Sequence, residues 1–81
     1  MNAQVNVTWE GQNGDLPDMV LYDATDTEIL RWAQEALQNG GVPGIGEDAE
    51  ADLTDFVVDR FPAKDDLPNR LVVRPKTPFG G

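Results

Sequence analysis

The 81-residue chain contains no cysteine, no histidine and no serine. Without cysteine it can form neither a disulfide nor a thiolate metal site. The three absences together exclude Ser-His, Cys-His and His-metal chemistry. Cations are scarce too: six Lys and Arg stand against fifteen Asp and Glu, giving a formal charge of −9. Nucleic acid repels such a chain, because binding it requires Lys and Arg to replace counterions on phosphates. Anionic membrane surfaces are disfavoured for the same reason. Long apolar runs are also missing. The longest are pieces such as Met19-Val20-Leu21-Tyr22, far short of the ~20 residues that cross a bilayer. The opening Met1-Asn2-Ala3-Gln4-Val5 has neither the basic nor the apolar region of a signal peptide, so a soluble, cytoplasmic protein is expected. One small domain fits the length, and a chain of this size buries only about 60% of its unfolded surface, so its core must be economical. These absences point away from an enzyme and toward a protein that acts by being recognised.

The residues present fall into a clear order. Val5, Val7 and Trp9 alternate with Asn6 and Thr8, the period-two pattern of a half-buried strand. Gly11-Gln12-Asn13-Gly14 follows, and its Asn-Gly pair predicts the turn of a hairpin whose second strand runs from Asp18 to Asp23. Pro17 then stands at the start of that strand, where a missing N–H is tolerated. Thr25-Asp26-Thr27-Glu28 reads as a capping box, with Asp26 and Glu28 at the positive end of the helix dipole. Ile29, Ala33 and Leu37 recur at four-residue spacing, widened by Leu30 and Ala36, while Arg31, Gln34, Glu35 and Gln38 fill the other side. Asn39-Gly40-Gly41 stops the helix. Val42 to Gly46 is a turn-rich connection, and Glu47 to Asp55 an acidic loop or at most a helical turn. Phe56 to Phe61 predicts a strand, Pro62 to Pro68 a polar loop, and Arg70 to Arg74 the last strand.

One apolar helix stripe needs one apolar sheet face, and the chain has material for a single such pair. A crossover through the helix sets the last strand centrally beside the first. The expected fold class is therefore α+β, a β-grasp with a β-hairpin and one helix packed on a small mixed sheet. Residues 1–74 form the domain and residues 75–81 an extended C-terminal tail. An unspecified two-layer α+β domain is the alternative. Over nearly its whole length the chain resembles ubiquitin-like proteins. The pieces that match are the opening hairpin from Val5 to Tyr22, Asp23 to Ile29 at the start of the helix, and Gly41-Val42-Pro43-Gly44-Ile45 after it. They continue in the strands Phe56 to Phe61 and Leu71 to Val73 and in Gly80-Gly81. Its wording is similar to small modifiers of bacterial ubiquitin-like conjugation operons.

The resemblance implies that the reactive group is the α-carboxylate of Gly81. An activating enzyme would supply ATP and Mg²⁺ to make an acyl-adenylate, so this chain itself needs no cofactor. A thiol would then take the acyl group, and a conjugating enzyme would pass it to target proteins by an isopeptide bond that a deconjugating peptidase removes. Glycine suits positions 80 and 81 because no Cβ blocks the approaching nucleophile. Where ubiquitin alternates leucine and arginine, this tail has Pro75-Lys76-Thr77-Pro78-Phe79. A dedicated activating enzyme is implied, with Phe79 and Pro78 in its channel and Lys76 and Arg74 at the tail's root. Prolines and aromatics before Gly-Gly also occur in the sulfur carriers of molybdopterin and thiamine synthesis, where the adenylate becomes a thiocarboxylate. That is the rival reading. A β-grasp binding module that is never conjugated is a third, and an ordinary glycine-rich end is the plain account of Gly80-Gly81 taken alone.

Other features have duller readings. Glu47, Asp48, Glu50, Asp52 and Asp55 offer oxygen ligands, but lack the spacing and central glycine of a calcium loop, so a solvated acidic loop is expected. Trp9 and Trp32 are expected to pack at the ends and edge of the core rather than to form a binding surface. Val57 and Val72 are candidates for an apolar docking face whose register the sequence does not define. Arg70, Arg74 and Lys76 set three of the six cations near the tail, either to orient a partner or as edge-strand protection. Lys64, Lys76 and the N-terminal amine are the only amines that could accept an isopeptide.

Overall fold

The alternation in the first strand sets the architecture. In the computed structural model, which describes residues 1–76, β1 (Asn2–Trp9) turns Ala3, Val5 and Val7 fully inward. Gln4, Asn6 and Thr8 therefore point to the opposite face, as a pleated strand requires. A two-residue turn at Glu10-Gly11, with φ of 49° and 80°, reverses the chain into β2 (Gln12–Asp15), with Trp9 opposite Gln12.

This corrects the predicted hairpin. Asn13-Gly14 lies inside β2, and Asp18 to Asp23 is not its partner strand; within that stretch only Val20–Leu21 forms a strand, β3, which pairs with Ala3 and Asn2 at the far end of β1. Pro17 sits in the bend between the two. The reason is physical. The two positive-φ positions that a tight hairpin demands are taken by Glu10 and Gly11. Gly14 is glycine for another cause: a Cβ there would collide with the Pro43 carbonyl oxygen and press on Val42.

The helix follows its local signals closely. α1 (Asp26–Gln38) is capped by Thr25, whose Oγ1 accepts from Glu28 N at 3.2 Å while Glu28 Oε1 accepts from Thr25 N at 3.2 Å. Ile29, Ala33 and Leu37 are its buried residues. Asn39 and Gly40 end it, the glycine at φ 70°.

The connection from Gly41 to Asp55 has no regular element but is not merely solvated: Val42, Ile45, Ala51 and Leu53 are buried. Its backbone is tied to half-buried helix glutamines. Gln34 Oε1 accepts from Leu53 N at 2.9 Å, and Gln38 Nε2 donates to Ala51 O at 3.0 Å. Trp9 Nε1 donates to Asp48 Oδ2 at 3.1 Å, and the Trp9 ring lies tilted 5.7 Å from Phe56.

β4 (Phe56–Phe61) and β5 (Asn69–Pro75) complete a mixed five-stranded sheet of order β2-β1-β5-β4, with β3 beside β1 off that path. β5 runs parallel to β1, Leu71 beside Val5, and antiparallel to β4. Pro75, expected as the first tail residue, is the last of β5 and faces Phe56. One helix thus covers one face of an α+β sheet, with Leu71 and Val73 fully buried beneath it.

Two substitutions check this account by denaturant unfolding. Gly14→Ala is expected to destabilise by about 1–3 kcal/mol through overpacking against Pro43. Thr25→Ala is expected to cost about 1 kcal/mol through loss of the cap.

Candidate functional site

With the register defined, the uncovered face of the sheet can be read. Because Leu71 and Val73 point inward, Arg70, Val72 and Arg74 of β5 point outward, and their β4 partners Phe61, Asp59 and Val57 share that face. Val57 and Val72 do stand together here, half-buried, as the expected docking face requires. Around them the cations are held rather than loose. The Arg70 guanidinium lies 5.3 Å from the centre of the Phe61 ring, and Arg74 Nε donates to Asp59 Oδ2 at 2.5 Å. Toward β1 and β2 the same face turns polar. Asn6 and Asn13 exchange amide bonds of 2.9 Å, and Asn6 also donates to Asp15 at 2.9 Å.

Of the residues expected at the site, Arg74 lies near the end of β5 and Lys76 just beyond it, both exposed. Pro78, Phe79, Gly80 and Gly81 lie outside the described residues. The candidate acceptor amines at Met1 and Lys64 are exposed as well. The charge is sharply divided along the chain. Residues 1–55 hold one cation and twelve carboxylates, whereas residues 56–76 hold five cations and three carboxylates. The root of the tail is therefore the basic end of an acidic molecule.

Arg60, a cation the sequence reading left as an ordinary strand residue, points to the helix side. Its guanidinium donates to Tyr22 O at 2.6 Å, to Ala24 O at 2.8 Å and to the Asp26 carboxylate. It thus clamps the start of α1 onto β4. Asn69, mostly buried, does the same for the loop before β5: its Oδ1 accepts from Ala63 N at 2.6 Å and its Nδ2 donates to Asn2 O at 3.2 Å. Arg60 had no local signal, because its partners lie 34 to 38 residues away, and Asn69 joins Ala63, six residues away, to Asn2, 67 away.

In the acidic loop the carboxylates serve turns. Asp48 Oδ1 accepts from Glu50 N, and Asp52 Oδ1 accepts from the Thr54 hydroxyl and the Thr54 N–H. Among the described residues, no three acidic side chains gather as metal ligands, and no helix is long and apolar enough to cross a membrane. Compared with family models, curated proteins and solved structures, the chain matches none.

Arg60→Ala is expected to cost about 1–3 kcal/mol in unfolding experiments, since it strips the donors from two backbone carbonyls. Arg60→Lys should restore only part of this, as an ammonium cannot span three acceptors. Asp26→Asn should cost under about 1 kcal/mol, because that pair is exposed.

The Thr54 hydroxyl and then the Thr54 N–H hold the Asp52 carboxyl below its ordinary pKa, against a smaller opposing effect of burial. A depressed pKa in the folded state stabilises above the unfolded value, and this support fades as pH falls through the folded one. A carboxyl-detected NMR titration should find Asp52 titrating low, and Thr54→Val should move it up toward the ordinary value.

Proposed function

We propose that this protein is a ubiquitin-like modifier of β-grasp type, joined to target proteins through the carboxylate of Gly81. The observation that carries the reading is the course of the last strand. After a hairpin and one helix, the chain returns as β5, parallel to β1 and central in the sheet, and ends at Pro75. Gly80-Gly81 follow five residues later. The domain is then a handle on which enzymes close, and its tail is the reacting part.

In the proposed sequence a carboxylate oxygen of Gly81 attacks the α-phosphate of ATP on an activating enzyme and displaces pyrophosphate. A cysteine thiolate of that enzyme attacks the acyl carbon and displaces AMP, giving a thioester. An amine of the target attacks the thioester, releases the thiol and loses a proton to give the amide. Apart from the Gly81 carboxylate itself, nothing in this series asks the modifier for a side-chain nucleophile or base. That fits a chain lacking Ser, Cys and His. Its own contribution is binding and orientation, which bring the carbonyl in line with each nucleophile. The basic root at Arg70, Arg74 and Lys76, beside Val57 and Val72, offers a docking face for an enzyme surface of mixed apolar and acidic character.

The sequence defines a specific readout. Trypsin cuts after Lys76, so a conjugated target lysine would keep the remnant Thr77-Pro78-Phe79-Gly80-Gly81. Mass spectrometry of the host expressing tagged full-length protein is expected to find that remnant on other proteins. It should vanish when Gly80 and Gly81 are deleted. Adducts of equal yield from the deletion would end the proposal. A C-terminal carboxyl carrying sulfur in place of one oxygen, with no protein adducts, would favour the sulfur carrier instead.

A further inference from the structure

A second groove lies where the flank of α1 that carries Trp32 and Ala36 meets the segment joining β2 to β3. It encloses about 550 Å³, and its apolar walls are Leu16, Pro17 and Met19 on one side and Trp32 and Ala36 on the other. Two neighbours of its rim are out of keeping with a finished surface: Met19 is 50% and Leu21 57% exposed. Tryptophan and methionine are enriched where proteins meet, and a wall of both leaves apolar area in water that a partner would cover.

The electrostatics of the rim select the occupant. Asp18 lines the groove. On the helix, Glu35 stands three residues after Trp32, on the same flank and exposed. None of the residues lining the groove is Lys or Arg. Arg31, the single cation of residues 1–55, borders a different depression with Leu30 and Leu53. An apolar slot edged by a carboxylate and lined by no cation favours apolar side chains flanked by positive charge and disfavours the same side chains flanked by negative charge.

We propose that this groove docks a partner protein's segment in which apolar residues are bordered by Lys or Arg. The inference does not rest on the chemistry of the tail. The groove shares no lining residue with the patch of the open sheet face formed by Arg70, Val72, Arg74, Val57, Asp59 and Phe61.

The test uses the full ¹⁵N-labelled chain and three synthetic peptides: Lys-Lys-Leu-Val-Leu-Leu-Lys-Lys, the same core flanked by Glu, and Lys-Lys-Gly-Thr-Gly-Thr-Lys-Lys. At physiological salt the lysine-flanked apolar peptide is expected to bind at least roughly tenfold tighter than either control. Its amide shifts should be confined to residues 16–21 and 32–41. Asp18→Lys, an exposed change that leaves the fold intact, should weaken it about three- to tenfold. Ala36→Arg, which fills and recharges the slot, should abolish the localised shifts. Equal binding of the Gly-Thr peptide would mean charge alone is at work and would overturn the proposal. So would shifts spread over the acidic loop at residues 47–55, or an affinity that Asp18→Lys leaves unchanged.

Discussion

The parallel pairing of β1 with β5 is the constraint on which the rest of the molecule depends. It sets Ala3 beside Asn69 and Val7 beside Val73, so the two ends of the chain must meet before the core is complete. A parallel pair cannot be joined by a tight turn; it needs a crossover, and α1 supplies one. The cost is the entropy of closing nearly the whole chain into a loop, recovered only when the helix stripe seats on the paired strands. That explains the small residues at the contact. Ala3 and Ala33 are fully buried and Ala24 and Ala51 nearly so, which lets the helix and the connection approach the sheet closely with few large side chains to order. Ile29, Leu37, Leu53 and Leu71 then fill the remaining depth.

A core so small leaves much irregular backbone near its edge, and no disulfide secures it. Side chains do this instead. Gln34 and Gln38 reach from the helix to the backbone of Ala51 to Leu53, Arg60 to the strand–helix junction, Asn69 to the loop before β5, and the Trp9 indole to Asp48. All but the Asn69–Ala63 bond join segments at least thirteen residues apart, and among the described residues no buried side-chain N or O is left without a partner. Since a buried polar group left unpaired is expensive, these bonds matter less for what they add than for what they prevent. They also define the molecule's outline, because the connection that packs Val42 and Ile45 is the one that meets Gly14 and forces that residue to be glycine.

This is where the sequence could and could not be read. The helix was legible to its cap, since the capping box, stripe and terminal glycine are local, and β4 and β5 were legible as runs of β-formers. The central position of β5 followed from packing one stripe on one face. The hairpin was misread because Asn-Gly ordinarily marks a turn, whereas here Asn13 belongs to a cross-strand amide ladder with Asn6 and Gly14 to a tertiary contact. A glycine required by a distant carbonyl looks the same in sequence as one required by its own φ. Register was equally hidden. Once Phe61 is known to face Arg70 and Asp59 to neighbour Arg74 across the strands, the open face becomes a defined surface; before that, Val57 and Val72 are only two valines.

The division of charge connects these structural facts to recognition. Residues 1–55 hold twelve of the fifteen carboxylates, and residues 56–76 hold five of the six cations. In a folded sheet with one covered face this becomes a spatial division: a carboxylate-edged groove beside the helix, and a cation-bearing surface on the bare face near the end of β5. The helix wall of the groove and the bare face of β4 and β5 are built on regular elements, which lowers the ordering cost of contact there. The two surfaces differ in character: Asp18 edges the groove, which no Lys or Arg lines, whereas Arg70 and Arg74 stand on the bare face, so a segment suited to one is not suited to the other.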